Sequence, residues 1–398
     1  MAGWNWREYF GLRRDIVVLM AAVVLTRAGD EMWSRFVPKY LEILGAGALL
    51  IGLYDGLKTA LSAVYAYPGG VVADLWGHRR ALVAFSLVTV VGYLIALIPH
   101  WLAVYLGTFF FLAWGNLSLP AMFSLVAATL PPEKLVMGIG VQSLVKRVPI
   151  IVGPIAGGWI LDRLGFVNGV RIGLVVSIVV TLGSSVLLGR IESSTPSAGS
   201  VGGLLETAKG FHPRLKHLLI SDILIRFCER IPMAWIVIYS MNHLGISATQ
   251  FGLLTAVEMI TAMLCYIPVA HLADRTRKEP FVLVTFLFFT LFPVSLAMAT
   301  TFPMLVGAFV IRGLKEFGDP TRKVLILRYA PPEARGRTVG AYYMIRDLTV
   351  SGGAVLGGLA WMVDPAVNFW MAAAVGTAGT IYYAISQLRS MLSRSGKA

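Results

Sequence analysis

The sequence predicts an all-α integral membrane protein whose twelve transmembrane helices form two pseudo-symmetric bundles of six. Three observations lead to this fold class: an apolar composition, long runs without charge and an internal repeat. Of the 398 residues, 57% are hydrophobic and only 14% are charged, whereas charged residues make up about 25% of soluble proteins. The cations are spread over short loops and not gathered in a patch, so the net charge of +13 does not indicate a nucleic-acid partner.

Twelve stretches are long and apolar enough to cross a bilayer, for which a helix needs roughly 20 residues. We number these predicted segments spans 1 to 12, at residues 14–43, 48–75, 79–98, 101–129, 134–162, 170–190, 213–243, 249–274, 280–300, 303–329, 333–361 and 366–388. Loops on one side are rich in Arg and Lys, as at Arg13, Arg80 and Arg277, whereas the opposite loops carry almost none. The positive-inside rule therefore predicts that both termini lie in the cytoplasm. The short loops predict a multi-pass protein of the cell (inner or plasma) membrane.

The second half of the chain repeats the first half at an offset of 200 residues. The matched positions include Gly52 and Gly252, Pro68 and Pro268, Pro120 and Pro320, "PPE" at 131–133 and 331–333, and the glycine pairs at 157–158 and 357–358. This repeat predicts an N-terminal six-helix bundle at 1–190, a cytoplasmic linker at 191–212 and a C-terminal six-helix bundle at 213–398. Parallel repeats of six spans are an architecture of secondary transporters.

Two motifs give the chain a family resemblance. "GGVVADLWGHRR" (69–80) resembles the loop 2–3 signature of the major facilitator superfamily, and "AHLADRTRK" (270–278) is a weaker second copy around Asp274. "GPIAGG" (153–158) resembles the antiporter signature of that family, although Pro149 stands where its first glycine would be. The residues that match are Gly70, Asp74, Gly77, Arg79 and Arg80 in the first motif, and Gly153 and Pro154 in the antiporter-like motif.

The resemblance covers nearly the whole chain and implies the fold and mechanics of that family. Spans 1, 4, 7 and 10 would line a central cavity, spans 2, 5, 8 and 11 would flank it, and spans 3, 6, 9 and 12 would face lipid. Asp74 would act as a cytoplasmic latch against the N-terminus of span 11, near residues 333–338, because a helix N-terminus carries partial positive charge. A monomer is the expected state.

Charged residues inside the spans follow this division. The interiors of spans 3, 6, 9 and 12 contain none, as expected if each intramembrane charge faces protein or water. The candidate residues for substrate binding or proton coupling are Arg27, Asp30 and Glu31 in span 1, Asn116 in span 4, Lys146 and Arg147 in span 5, Arg226, Glu229 and Arg230 in span 7, Glu258 in span 8, Arg312, Lys315 and Glu316 in span 10, and Arg346 and Asp347 in span 11.

These residue types predict two roles. Buried carboxylates can carry protons, and Glu31 and Glu316 are the first candidates because they lie mid-span on cavity helices. The arginines and lysines can hold a carboxylate or phosphate, or keep the acidic residues ionised.

The sequence therefore predicts a secondary active transporter of a small polar or charged solute. It would work by alternating access with proton coupling, and the antiporter-like motif favours export. One alternative is a divalent-metal exporter, since "GDEMW" (29–33) resembles the span 1 motif of ferroportins, with Asp30 as ligand and Cys228 as a softer partner. Another is a flippase for lipids or lysolipids. No phosphate loop, metal-spaced cluster or nucleophile elbow is present, so we expect no enzyme activity, cofactor or bound metal.

Overall fold

The computed structural model of the protein describes residues 14–129, 146–191, 209–275, 278–331 and 335–395. These residues form helices joined by short turns, and no strand occurs among them. The all-α fold class is therefore confirmed. The count of twelve spans stays a prediction, because much of span 5 lies in residues 130–145, outside the described ranges.

The helices fall where the spans are predicted. Those of the first half are Arg14–Glu31, Val37–Ile43, Ala48–Trp76, His78–Ala96, Trp101–Thr129, Arg147–Leu164 and Phe166–Leu188, with a 3-10 turn at Ser34–Phe36. Those of the second half are Pro213–Met233, Trp235–Asn242, Ala248–Arg275, Glu279–Ala297, Phe302–Leu314, Asp319–Tyr329, Arg335–Val363 and Pro365–Ser395. Among the described residues, five helices contain a stretch that is long and apolar enough to cross a membrane.

Spans 1, 7 and 10 are interrupted, whereas the sequence predicts each as one continuous helix. Span 1 breaks at residues 32–33, span 7 at Ala234 and span 10 at residues 315–318. Prolines lie beside these breaks, including Pro232 in span 7 and Pro320 in span 10. Proline has no N–H and clashes with the preceding turn, so it ends or kinks a helix. The breaks in spans 1 and 7 fall at nearly equivalent positions of the repeat, as in transporters that place their sites at discontinuous helices.

The described residues fall into two compact units. The first unit consists of the described residues within 1–46, 61–200 and 247–253. The second unit consists of those within 47–60, 201–246 and 254–398. Each unit thus contains a short segment from the other half of the sequence. The predicted domain boundaries remain a prediction.

Each unit has an apolar core. In the first unit Leu19, Phe85 and Trp114 of spans 1, 3 and 4 belong to one buried cluster. In the second unit Leu215, Phe286 and Tyr342 of spans 7, 9 and 11 belong to another. The charged residues of spans 1 and 7 are therefore carried by helices that are anchored on their apolar faces.

Glycines let two helices approach the broken spans in the same way in both units. A side chain at Gly157 in span 5 would overlap the backbone carbonyl oxygen of Met32, at the break of span 1. A side chain at Gly357 in span 11 would overlap the carbonyl oxygen of Ile231, just before the break of span 7. The glycines of the antiporter-like motif and of its repeat therefore pack against the interrupted helices.

The neighbouring glycines repeat a second contact. Gly158 packs on the backbone of Ala248 at the start of span 8, inside the first unit. Gly358 packs on the backbone of Ala48 at the start of span 2, inside the second unit. These pairs differ by the same offset of 200 residues, so the structure repeats contacts as well as sequence.

Candidate functional site

A cluster of buried charges joins spans 7, 8 and 10 of the second unit, and we call it the Lys315 network. Its members are Arg226, Glu229, Glu258, Arg312 and Lys315. Lys315 Nζ lies 2.7 Å from Glu229 Oε1 and 3.4 Å from Glu258 Oε1. Arg312 Nε lies 3.1 Å from Glu258 Oε1, and Arg226 Nη1 lies 2.7 Å from Glu229 Oε2. One lysine therefore bridges two carboxylates, and each carboxylate also forms an ion pair with an arginine.

The break in span 10 positions the cations of this network. Arg312 and Lys315 lie at the C-terminal end of Phe302–Leu314, where the last carbonyl groups carry partial negative charge. The Arg312 guanidinium is buried over the rings of Phe292 and Phe309, at 5.1 and 5.6 Å from their centroids. Such cation–π contacts stabilise a guanidinium away from water. An unbroken helix would not place a C-terminal end beside these residues.

A second cluster surrounds Asp222 in span 7, and we call it the Asp222 network. The Asp222 side chain is 0% exposed and accepts a hydrogen bond from Arg322. Its other oxygen lies 3.3 Å from Arg346 Nη1 and 3.1 Å from the Tyr342 hydroxyl. Asp319 binds Arg322 as well. Spans 7, 10 and 11 are thus joined at one buried carboxylate.

Asp222 and Arg322 are not among the residues predicted from the sequence, although both stand in predicted spans. Asp222 lies within "LLISDILIRF" (218–227), one turn before Arg226. The same test that selected the other candidates, a charge inside an apolar span, would have found it. Arg322 lies closer to the end of span 10, where a cation is easily assigned to a loop.

Arg226 connects the two networks. Besides Glu229, its Nε lies 3.9 Å from Asp222 Oδ1 and its Nη2 lies 3.8 Å from Asp319 Oδ1. The buried Nε makes no hydrogen bond among the described residues. A small rotation of this guanidinium would exchange its partner Glu229 for Asp222 or Asp319.

The other candidates of the second unit are placed around these networks. Arg230 Nη1 lies 3.2 Å from Asp55 Oδ2, which ties span 7 to the first part of span 2. Arg346 Nε also donates to Asp347, at 2.7 Å. Glu316 lies half-buried in the turn that interrupts span 10. Its role in proton transfer stays a prediction.

In the first unit, Glu31 lies between two arginines of its own span. Its Oε1 is 3.3 Å from Arg27 Nη1, and its Oε2 is 3.3 Å from Arg35 Nε. Lys146 immediately precedes the helix Arg147–Leu164 and is close enough to Arg27 for their positive charges to repel. A β-carbon at Gly153 would lie 2.6 Å from that of Glu31, so span 5 is in close contact with span 1 here.

Asp30 and Asn116 make contacts of a different kind. Asp30 accepts a hydrogen bond from the Tyr93 hydroxyl of span 3. The Asn116 amide donates to the carbonyl of Leu112 in its own helix, at 3.1 Å. The structure brings neither of them into the charged clusters described above, and their roles stay predictions.

The ligands of the metal-exporter alternative also have protein partners. Asp30 binds Tyr93, as above, and the Cys228 thiol donates to the Phe289 carbonyl at 3.3 Å. Within the described part of the chain, no group of three or more His, Cys, Asp or Glu side chains could hold a metal ion.

Part of the predicted latch falls outside the described residues. These include the side chains of Asp74 and Asp274, those at positions 332–337, and the surroundings of Gly70. Gly77 is described: it has φ of 78° and begins the helix His78–Ala96. A positive φ suits glycine, which has no β-carbon. Arg79 and Arg80 follow in the exposed first turn of that helix.

An all-α chain with interrupted apolar helices and buried charges beside the breaks has the features of a membrane transporter. The family model of the Major Facilitator Superfamily matches residues 19–228 and 218–391. The chain belongs to this superfamily. It is thus a multi-pass membrane transporter of small molecules and not an enzyme, as the sequence motifs predict.

Named relatives and a solved structure agree with this assignment. The chain is 23% identical over 380 residues to the multi-drug resistance efflux pump PmrA homolog of Lactococcus lactis, covering 89% of this chain and 88% of that protein. It is 24% identical over 367 residues to the multidrug resistance protein MdtH of Yersinia enterocolitica, covering 90% and 86%. A crystal structure of a POT family transporter in complex with a thioalcohol conjugated peptide superimposes with a TM-score of 0.78 at 13% identity, over 96% and 97% of the two chains. That similarity concerns the fold alone.

Proposed function

We propose that the chain is a proton-coupled secondary transporter that exports a small polar or charged solute from the cell by alternating access. The observation that carries this proposal is the position of Lys315 between Glu229 and Glu258. The names of the relatives, which are efflux and resistance proteins, support export. The proposal includes the predicted orientation, with both termini in the cytoplasm, the Asp74 latch and a monomeric state.

Because Lys315 pairs with two carboxylates, protonation of one of them costs less free energy than it would in an isolated ion pair. Removing one partner of a buried ion pair costs about 3–5 kcal/mol, because the other charge is left uncompensated. When Glu258 takes a proton, Lys315 keeps Glu229 as its counter-ion, at 2.7 Å, and Arg312 keeps its cation–π contacts with Phe292 and Phe309. When Glu229 takes the proton, Lys315 keeps Glu258 and Arg226 can turn to Asp222 or Asp319.

These exchanges would couple protons to movement. The carboxylates lie on spans 7 and 8, and Lys315 lies at the break of span 10. Each protonation changes which of these helices is held by an ion pair. We propose that this change biases the transporter between its two access states, since a ligand shifts a conformational equilibrium only through unequal affinity for the states.

Inverted membrane vesicles test this proposal. Two xanthene dyes of opposite charge, 5-carboxyfluorescein and rhodamine 6G, serve as transport probes, and vesicles are collected by filtration and read at one pH. We expect uptake of at least one dye to depend on an acidic lumen and to stop when nigericin and potassium collapse the pH gradient. Glu258→Gln should remove this dependence and lower the gradient-driven rate about tenfold or more, which corresponds to only ~1.4 kcal/mol in the barrier.

Glu42→Gln is the matched control. Glu42 pairs with Lys39 of its own short helix at 2.6 Å and lies outside the Lys315 network. This variant should keep the wild-type response to nigericin. Dye uptake that continues unchanged in wild-type vesicles after the gradient has been collapsed would show that proton coupling is wrong.

A further inference from the structure

We infer that Asn368, at the start of span 12, is a positioning residue for the Lys315 network. Its buried side-chain amide holds the break in span 7 against span 11, and Glu229 lies just before that break. The inference rests on the proposed function, because it extends the proton-coupling groups to a span that the sequence places against lipid.

The Asn368 amide nitrogen donates to carbonyl groups of two other spans. Nδ2 lies 2.7 Å from the oxygen of Gly357 in span 11 and 3.3 Å from the oxygen of Ile231 in span 7. The residue is 0% exposed, so water does not compete for either carbonyl group. One side chain therefore joins spans 7, 11 and 12.

The Ile231 carbonyl lies at the end of a helix and needs such a donor. Ile231 is among the last four residues of Pro213–Met233, and the last four carbonyl groups of an α-helix have no intrahelical partner. A buried carbonyl without a partner costs free energy comparable to a lost hydrogen bond. Gly357 leaves room here, because a β-carbon on it would lie 2.1 Å from the Ile231 oxygen. The break in span 7 is thus held at the point where spans 11 and 12 meet it.

The amide oxygen of Asn368 indicates what this residue contributes. Oδ1 is buried and makes no hydrogen bond among the described residues. A buried polar atom without a partner is unfavourable, and a leucine of similar size would avoid that cost. The two donated hydrogen bonds are therefore the contribution of the amide at this position.

Comparison with the first unit separates this contact from ordinary packing. Asn168 is the equivalent residue at the offset of 200, and it is exposed. Gly157 and Gly357 approach the two breaks in the same way, so the first unit repeats the glycine contact without a buried amide. Close helix packing at a break does not require the amide. The buried amide occurs in the second unit, where the shared lysine lies.

The position of Glu229 explains how Asn368 acts on the network. Glu229 lies two residues before Ile231, so a shift of that carbonyl moves the Glu229 backbone with it. Glu229 pairs with Lys315 and with Arg226, each at 2.7 Å. Functional side chains must be held within about 0.5 Å of their working geometry by packing and supporting hydrogen bonds. Asn368 supplies such support from another helix.

The competing explanation is that Asn368 only fastens span 12 to the second unit. The two explanations differ in a double-mutant cycle with Glu229→Gln, measured as melting temperatures in detergent without any gradient. Independent contributions add, whereas those of coupled residues do not. If Asn368 positions Glu229, part of its contribution is lost once Glu229 no longer carries a charge.

We expect Asn368→Leu to lower the melting temperature of the full-length protein. In the Glu229→Gln background the same substitution should lower it by at most about half as much. Asn168→Leu is the matched control and should melt like the wild type, because that amide is exposed. If Asn368→Leu does not fold, Asn368→Ser takes its place, since a single hydroxyl donor can serve only one of the two carbonyl groups.

Transport gives a second readout. In the inverted vesicles, Asn368→Leu should lower gradient-driven dye uptake per folded transporter about tenfold or more, because a small displacement of a reacting group has a large effect on rate. Asn168→Leu should keep the wild-type rate. A melting temperature of Asn368→Leu at or above that of the wild type, additive effects in the cycle, or an unchanged rate per folded transporter would each overturn the inference.

Failure of this inference can be told from failure of the proposed function. The melting cycle does not involve a proton gradient, whereas the vesicle assay with Glu258→Gln does. If the cycle is non-additive and nigericin has no effect on uptake, Asn368 positions Glu229 and proton coupling is wrong. If nigericin stops uptake and the cycle is additive, coupling stands and the positioning role is wrong.

Discussion

Asp222→Ala is expected to destabilise the protein by about 3–5 kcal/mol, the usual cost of breaking a buried ion pair by removing one partner. Asp222 is 0% exposed, and its carboxylate binds Arg322 and Arg346. Both guanidinium groups are themselves largely buried, so water cannot replace the lost carboxylate. The measurement is the thermal unfolding of the purified protein in detergent, together with the yield of folded protein. We expect a large fall in melting temperature.

Two further variants test whether the loss of stability is specific to the buried carboxylate of Asp222. Asp347→Ala removes a carboxylate that also binds Arg346 but is 34% exposed, so we expect a loss below about 1 kcal/mol. Asp222→Asn keeps an oxygen acceptor and should melt between Asp222→Ala and wild type. Equal melting temperatures for Asp222→Ala and Asp347→Ala would mean that the Asp222 network does not stabilise the second unit.

Gly157→Ala is expected to cost about 1–3 kcal/mol, the range for overpacked interiors. The added methyl group would overlap the carbonyl oxygen of Met32, and a backbone atom cannot turn aside as a flexible side chain can. Span 5 would have to move away from span 1 at its break. We expect a lower melting temperature.

Gly183→Ala provides the comparison within the same unit. No atom lies within 4 Å of a β-carbon at Gly183, and alanine favours a helix over glycine by roughly 0.5–1 kcal/mol. This variant should be as stable as the wild type or more so. Gly357→Ala should behave like Gly157→Ala, since it meets the carbonyl of Ile231. If all three variants have the same melting temperature, the close approach at Gly157 and Gly357 does not contribute to the stability of the protein.

The sequence was sufficient for the fold class and the family. Composition, apolar runs and the 200-residue repeat depend on local pattern, and the motif around Asp74 and the antiporter-like glycines are short stretches that can be read directly. The breaks were not predictable in the same way. Pro232 and Pro320 are visible in the sequence, but membrane helices tolerate proline where neighbouring groups replace the missing hydrogen bond, so a proline alone does not mark an interruption.

The ion-pair partners of the charged residues could not be predicted from the sequence either. Glu258 and Arg312 are 54 positions apart and come together only through packing of spans 8 and 10. Position along a span favoured Glu31 and Glu316 as proton carriers, whereas the sharing of Lys315 by Glu229 and Glu258 is a property of three helices at once. Asp222 is different, because its place inside an apolar run is visible in the sequence.

Each half of the sequence contributes one short segment to the compact unit that consists mainly of the other half. Residues 47–60 belong with the second unit and residues 247–253 with the first, and the repeat makes their starting points equivalent. Two copies of a six-helix ancestor that traded these segments would have formed a domain-swapped dimer, and joining the copies end to end would preserve the swap within one chain. A protease cut in the predicted linker would therefore leave two fragments, each of which contributes a short segment to the unit formed mainly by the other.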